Sequence, residues 1–321
     1  MSRPLLLFPL ALAMGCGALV GIPDVPPGVD ASPASEGGGE NDGGGSDEDG
    51  ADAISGEGGG GGGACDPDAA SWSPASVPGL VLWLEADTLT LASGSPVALW
   101  HDQSSAGNDA KQPVSSYQPT LEAAAVGGRP ALSFDGRQSF LTVADSVSLQ
   151  WGTGDYTFLI VGQFSDSGVP NQMLYQKVSG GPPYDGPALF VNSDKPAPGS
   201  HATSQISQDF YVTSLTAGFA NAPHLFASRR AGTSLEVRID GVVNAEQVTS
   251  TDVSNPGQAA MIGQNGYNPR AGNEALAGLI AAVVAAGGPI ADHDLQALEC
   301  YLMSKYGVAA GAASTPAARA P

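Results

Sequence analysis

Leu235-Glu236-Val237-Arg238-Ile239-Asp240-Gly241-Val242-Val243 decides the fold class. Apolar and polar side chains alternate through Leu235 to Ile239, which gives an extended strand one face to bury. Asp240-Gly241 suits the positive φ of a tight hairpin, and Val242-Val243 restarts the strand. The same texture recurs outward in both directions, with short apolar or alternating runs cut by Gly, Pro, Asn and Asp. Strands are predicted at Leu80 to Leu84, Ala131 to Phe134, Phe140 to Val143, Tyr156 to Gln163 and Met173 to Lys177. Four more are predicted at Ala188 to Val191, His224 to Arg229, Leu235 to Ile239 and Leu276 to Val284. Asp135-Gly136 reads as a second hairpin turn, between Leu132 to Phe134 and Phe140 to Val143. So many strands without covering helices predict an all-β fold of two packed antiparallel sheets.

One segment has helical character, from Asp292 to Gly307. Leu295, Leu298, Leu302 and Tyr306 share a face, Asp292 is placed to cap the N-terminus, Lys305 suits the last turn and Gly307 the left-handed residue beyond it. Trp83 and Trp100 read as core, and His224 as a packed or hydrogen-bonded residue at the start of a strand.

The N-terminal fifth has a different character. Arg3, the apolar stretch Leu5 to Ala13 and the small Gly15 before Cys16 form a bacterial export signal, too short for a permanent membrane span. Ala13-Met14-Gly15-Cys16 resembles the lipobox of bacterial lipoproteins, in which the Cys thiol accepts diacylglycerol before cleavage. Ala13 and Met14 depart from the usual pattern, and the alternative is ordinary cleavage to a secreted protein. Several acyl chains, each methylene contributing about 0.8 kcal/mol, would hold the chain on a membrane. Gly17, where Asp would signal inner-membrane retention, makes the outer membrane the expected destination, facing either the cell surface or the periplasm.

Residues 17–70 form an acidic tether. Fourteen of residues 37–63 are Gly and little there is apolar, so folding entropy would go uncompensated. As a flexible coil, residues 17–64 span roughly 35–42 Å. The acids lack the fixed ligand spacing of a calcium-binding loop. Residues 71–308 then form the folded domain, and residues 309–321 an Ala-rich disordered tail.

The formal net charge is -20, and Arg229-Arg230 is the one adjacent basic pair. Such a balance repels phosphate backbones, so no nucleic-acid partner is expected.

Between Gly79 and Val308 a set of motifs is similar, in order, to the laminin-G-like and concanavalin A-like lectin/glucanase domains of bacterial surface proteins. They are Pro78-Gly79-Leu80-Val81-Leu82-Trp83-Leu84-Glu85-Ala86-Asp87, Trp100-His101-Asp102-Gln103-Ser104-Ser105-Ala106-Gly107-Asn108-Asp109-Ala110, Arg129 to Gly136, Tyr156 to Val161, Ile239-Asp240-Gly241, Ile262-Gly263, Gly278 to Val283, and the helix ending Tyr306-Gly307. The resemblance implies a jelly-roll sandwich. That fold carries lectins, glucanases and protein-binding modules, so it does not by itself assign a function.

Glucanases of that superfamily carry two catalytic carboxylates on an E-x-D-x-(x)-E strand. Here Glu85-Ala86-Asp87 is followed by Thr88, Leu89 and Thr90, the last Glu is missing, and no catalytic residue is assigned. The four histidines make no zinc-binding spacing. Asp102, Asn108 and Asp109 supply oxygen ligands for a calcium ion, the one cofactor the sequence suggests, or else form a loop of Asx turns. Tyr184-Asp185 and Tyr267-Asn268 stand in Gly- and Pro-rich loops where a ring has no core to fill, and are the candidate ligand-binding residues.

With Cys16 acylated, Cys65 and Cys300 are the remaining thiols of an exported chain, and a disulfide between them is expected. Cys300 lies about 140° around the helix from Leu295, off the apolar face. The alternative is two unpaired thiols. The leading functional reading is a non-enzymatic, membrane-anchored module for glycans or a cell-envelope partner. The alternatives are a protein-interaction or structural surface domain and, last, a glycoside hydrolase.

Overall fold

The computed structural model describes residues 65, 72–165, 169–192, 201–265 and 274–311. It is a two-sheet antiparallel jelly-roll sandwich with one C-terminal helix. The first sheet runs in the order β14 (Val242–Val248), β13 (Ser234–Ile239), β12 (His224–Ala231), β7 (Tyr156–Phe164), β16 (Ala277–Gly287), β5 (Arg129–Asp135) and β4 (Thr120–Val126), with β1 (Leu80–Glu85) also on β16. The second runs β11 (Tyr211–Thr213), β10 (His201–Gln205), β9 (Ala188–Asn192), β8 (Asn171–Gln176), β15 (Ala260–Ile262), β6 (Leu141–Val143), β3 (Ala110–Lys111) and β2 (Leu99–Trp100).

Inward side chains of both sheets meet in the main core, among them Trp100, Phe158, Ile160, Tyr175, Leu189, Phe226, Val237 and Val283. A second core lies on the opposite face of the first sheet. Leu159, Val161, Leu225, Ala282 and Val284 pack there with Leu295, Leu298, Leu302 and Tyr306 of helix α1 (Asp292–Tyr306). This double coverage explains why β7 and β16 read as nearly continuous apolar runs: both of their faces are buried. Trp83 packs at the edge of that second core.

The hairpin at Asp240-Gly241 forms as the opening stretch predicts, with φ of 51° and 81°. Its Asp is also a brace, since Oδ1 accepts the Leu225 N–H at 2.8 Å and Oδ2 lies 2.7 Å from His224 Nδ1.

Two local expectations are corrected. Asp135-Gly136 does not close a hairpin, because β5 and β6 belong to different sheets. Asp135 Oδ1 instead accepts the N–H groups of Arg137, Gln138 and Ser139, which rounds the chain into an arch between sheets. Burial would raise the Asp135 pKa, but these backbone donors and the Ser139 hydroxyl outweigh it and hold the carboxyl below its ordinary value. Asp292 does not cap the helix either. The cap residue is Ala291, with no side-chain bond, and Asp292 sits in the first turn paired with Arg229 at 2.7 Å.

The Cys65–Cys300 disulfide is present, with Cα atoms 5.2 Å apart and a sequence separation of 235. Trp72 stands beside it, with its ring 5.8 Å from that of Tyr301.

Candidate functional site

Glu85 and Asp87 sit beneath the helix and bind one cation between them. Lys305 Nζ donates to Glu85 Oε2 at 2.9 Å and lies 3.0 Å from Asp87 Oδ2, while the Tyr301 hydroxyl reaches Glu85 at 3.1 Å. Glu85 is 2% exposed. Burial alone would lower the Lys305 pKa, but the bond and charge of Glu85, joined by Asp87, reverse this and raise it. The pair thus fixes the helix to β1. Arg230 of the first sheet is likewise engaged: it is 1% exposed and donates to the carbonyls of Gly152, Gly154 and Thr251.

The Asp102 loop is built from internal bonds. Asp102 accepts the N–H groups of Trp83, Ser104 and Asn108 and the Ser104 hydroxyl, at 2.7–2.9 Å. Asn108 donates to Val81 O and Ser148 and accepts from Ser146. Asp109 lies 3.3 Å from Lys111 and 3.5 Å from His101. The oxygens of all three residues therefore have partners of their own: Asp102 closes an Asx turn with Ser104 N, Asn108 bonds to Ser146, and Asp109 accepts from Asp102 N and pairs with Lys111. Among the described residues no group of three or more His, Cys, Asp or Glu is placed to hold a metal ion.

Tyr184 and Asp185 lie in the connection from β8 to β9. This loop is braced: Ser179 N donates to Asp185 O, Asn255 Nδ2 donates to the same carbonyl, and Gly186 N donates to Ile206 O. Beneath it the fully buried Lys177 ammonium donates to Asn255 O at 2.9 Å and pairs with Asp145 at 2.8 Å. Burial would raise the Asp145 pKa, but Lys177 and the Gly257 N–H lower it further than burial raises it. Cys16, Tyr267 and Asn268 lie outside the described residues.

The arrangement with most chemical content is on the outward face of the second sheet. Register places His201 opposite Asn192, and Asn192 opposite Asn171, so three polar side chains line up across β10, β9 and β8. Asn171 Nδ2 donates to Glu274 Oε1 at 3.2 Å, Asn265 Nδ2 donates to Glu274 Oε2, and Gln176 Nε2 donates to Asn265 Oδ1 at 3.1 Å. Next along the strands, Thr203 pairs with Phe190 and Phe190 with Met173, and these two apolar side chains join Val178 and Ala188 in a small buried cluster. His201 Nδ1 lies 2.7 Å from Ser214 O and donates to it, so in the neutral ring Nε2 is an acceptor. Glu274 holds a φ of 63°, uncommon for a residue with a Cβ. His201, Asn192, Asn171, Asn265 and Glu274 are all half-buried, so they border solvent while Phe190 and Met173 lie deeper.

Amides, a carboxylate and an imidazole at the margin of solvent can exchange hydrogen bonds with hydroxyl groups. None of the residues of this row was singled out in the sequence. Tyr184 and Asp185 lie beyond the other end of β8, after Gln176.

No protein-family profile matches the chain, and no curated protein matches it in sequence. Among solved structures, a GH54 α-L-arabinofuranosidase is similar at a TM-score of 0.50 and 12% identity, over 75% of this chain and 63% of that one. The binding domain of botulinum neurotoxin serotype D follows at 0.49 and 9%, over 70% and 51%. Trypanosoma rangeli sialidase follows at 0.47 and 14%, over 70% of this chain and 33% of that one. The chain thus spans about half of the toxin domain and a third of the sialidase. The likeness to the arabinofuranosidase establishes a β-sandwich fold in common.

Proposed function

We propose that the protein is a lipid-anchored, outer-membrane binding module that reads glycans through the outward row of the second sheet. The observation that carries this reading is the half-buried line His201–Asn192–Asn171, extended by Glu274 and Asn265. Lectin-like sites place polar side chains of this kind to fix sugar hydroxyls. The laminin-G-like resemblance and the β-sandwich fold support the same reading. A glycosidase is not proposed, because Glu85 and Asp87 are committed to Lys305 and Glu274 has no second carboxylate beside it among the described residues.

On a glycan array the full chain is expected to bind a restricted set of oligosaccharides. Asn171→Ala and Glu274→Ala should each weaken that binding about tenfold or more, the loss of one to two hydrogen bonds to ligand. Both variants should keep the wild-type melting temperature. Full binding by both would remove the row from the site.

Anchoring is tested separately. In an expressing bacterium, labelled fatty acid is expected to enter the wild-type chain and not Cys16→Ser, and equal labelling of the two would end the lipoprotein reading.

A further inference from the structure

The connection from β8 to β9 and the turn from β10 to β11 meet at one end of the second sheet. Gln208 N donates to Pro183 O at 2.7 Å and Gly186 N to Ile206 O at 2.8 Å, so the two segments brace each other. Within the turn, Ile206 N donates to Phe210 O at 3.0 Å and Phe210 N to Ser207 O at 3.3 Å. Tyr184, singled out in the sequence, follows Pro183 directly, so these bonds bring its segment against the one that carries Phe210 and Tyr211.

Phe210 is 42% exposed and Tyr211 51%, and they are the two exposed aromatic side chains among the described residues. Val212 enters the main core, so alternation along β11 sends Tyr211 to the outward face of the second sheet. Its cross-strand partner there, Gln205, is half-buried. In the turn itself, Gln208 and Asp209 are exposed. Two neighbouring rings left in water mark a contact surface.

The chemistry of this end suits a sugar. Aromatic faces attract the polarised C–H bonds on one side of a sugar ring, while the Gln208 amide and Asp209 carboxylate exchange hydrogen bonds with its hydroxyls. Fully buried, such rings cover 150–250 Å² each, so at these exposures the pair offers on the order of 200 Å². A protein partner covers roughly 800 Å². Because the turn and its neighbour are fastened together beforehand, a ligand orders little backbone on arrival.

Resting on the glycan-binding reading, we infer a second contact for the glycan: Phe210 and Tyr211, with Tyr184 on the adjoining segment, form an aromatic platform for the C–H face of one sugar ring. The platform stands apart from the polar row. Gln205, opposite Tyr211, lies four residues along β10 from His201, about 13 Å. The two contacts therefore engage different sugars of one oligosaccharide.

Affinity electrophoresis of the full chain tests this, with arabinan, galactomannan, mixed-linkage glucan and polygalacturonate in separate gels. For a polymer that retards wild type, the double variant Phe210→Ala/Tyr211→Ala should lose at least about fivefold in affinity at an unchanged melting temperature. The exchange Phe210→Tyr/Tyr211→Phe keeps both rings and should lose less than that. A smaller loss in the alanine variant, or an equal loss in the exchange, would overturn the platform, and weakening by Asn171→Ala would then leave the row and the glycan reading standing. Loss in the alanine variant with full binding by Asn171→Ala would keep the platform and remove the row. Retardation by none of the four polymers would overturn both.

Discussion

Lys305→Met is expected to lower the unfolding free energy by about 3–5 kcal/mol, the usual result of stripping the partner from a buried charge. The methionine fills most of the lysine's volume, so the loss is electrostatic. Glu85 and Asp87 would be left facing one ammonium fewer, Glu85 with a Tyr301 hydroxyl and Asp87 with Arg129 at 3.9 Å. Urea titration measures the change, and Lys305→Met combined with Glu85→Gln should recover part of it, since the double variant buries no unpaired Glu85 charge. A loss below about 1 kcal/mol would class the triad with ordinary surface pairs. The raised Lys305 pKa also fixes a direction. Its contribution is fully present below the ordinary lysine value of 10.5 and is lost as pH rises through the higher folded value. Tyr301, raised first by burial and then by Glu85, declines in the same sense. Wild-type stability should therefore fall above pH 10.5, and the variant should fall less steeply.

Removing the Cys65–Cys300 bond by Cys300→Ser should cost about 2–5 kcal/mol. Closing a loop with a sequence separation of 235 is credited with on the order of 5 kcal/mol by chain entropy, and measured effects are often smaller. For a domain of this size a loss of 3 kcal/mol corresponds to a fall in melting temperature of roughly 6–12 °C. Dithiothreitol should reproduce the shift in wild type and leave Cys300→Ser unchanged. Tryptophan fluorescence should report the release of Trp72 from Tyr301. A melting temperature within about 2 °C of wild type would show that the staple adds nothing to the folded domain.

Strands with a strong apolar face were legible in the sequence, and those without one were not. All nine predicted runs coincide with observed strands, because Val, Ile, Leu and Phe repeat where a face is buried. β10 escaped because its inward residues are Ala202 and Ser204, and Ser204 is tolerated in the core by its bond to Ser228 at 2.5 Å. β4 escaped because Glu122-Ala123-Ala124-Ala125 has helical propensity, which pairing with β5 overrides. β2 and β3 are two residues each and carry no period to read. The helix face was legible, but its cap was not, since Ala291 carries no capping group. The disulfide could be reached by counting thiols. The candidate row could not be reached by spacing, because His201, Asn192, Asn171 and Glu274 come together only through cross-strand register and one loop return.

The position of Cys65 has a mechanical meaning. A load arriving along the chain from upstream reaches the covalent bond to Cys300 before it reaches Trp72 or β1. It therefore enters at the outer side of the helix, which is itself fastened to β1 through Lys305 and Glu85 and to β12 through Arg229 and Asp292. Pulling would shear the helix against the sheet over its whole apolar face, and would not unzip β1 from β16 one hydrogen bond at a time. Reduced, the same load would fall on β1 directly, so the oxidised protein should withstand greater tension in a single-molecule pulling measurement.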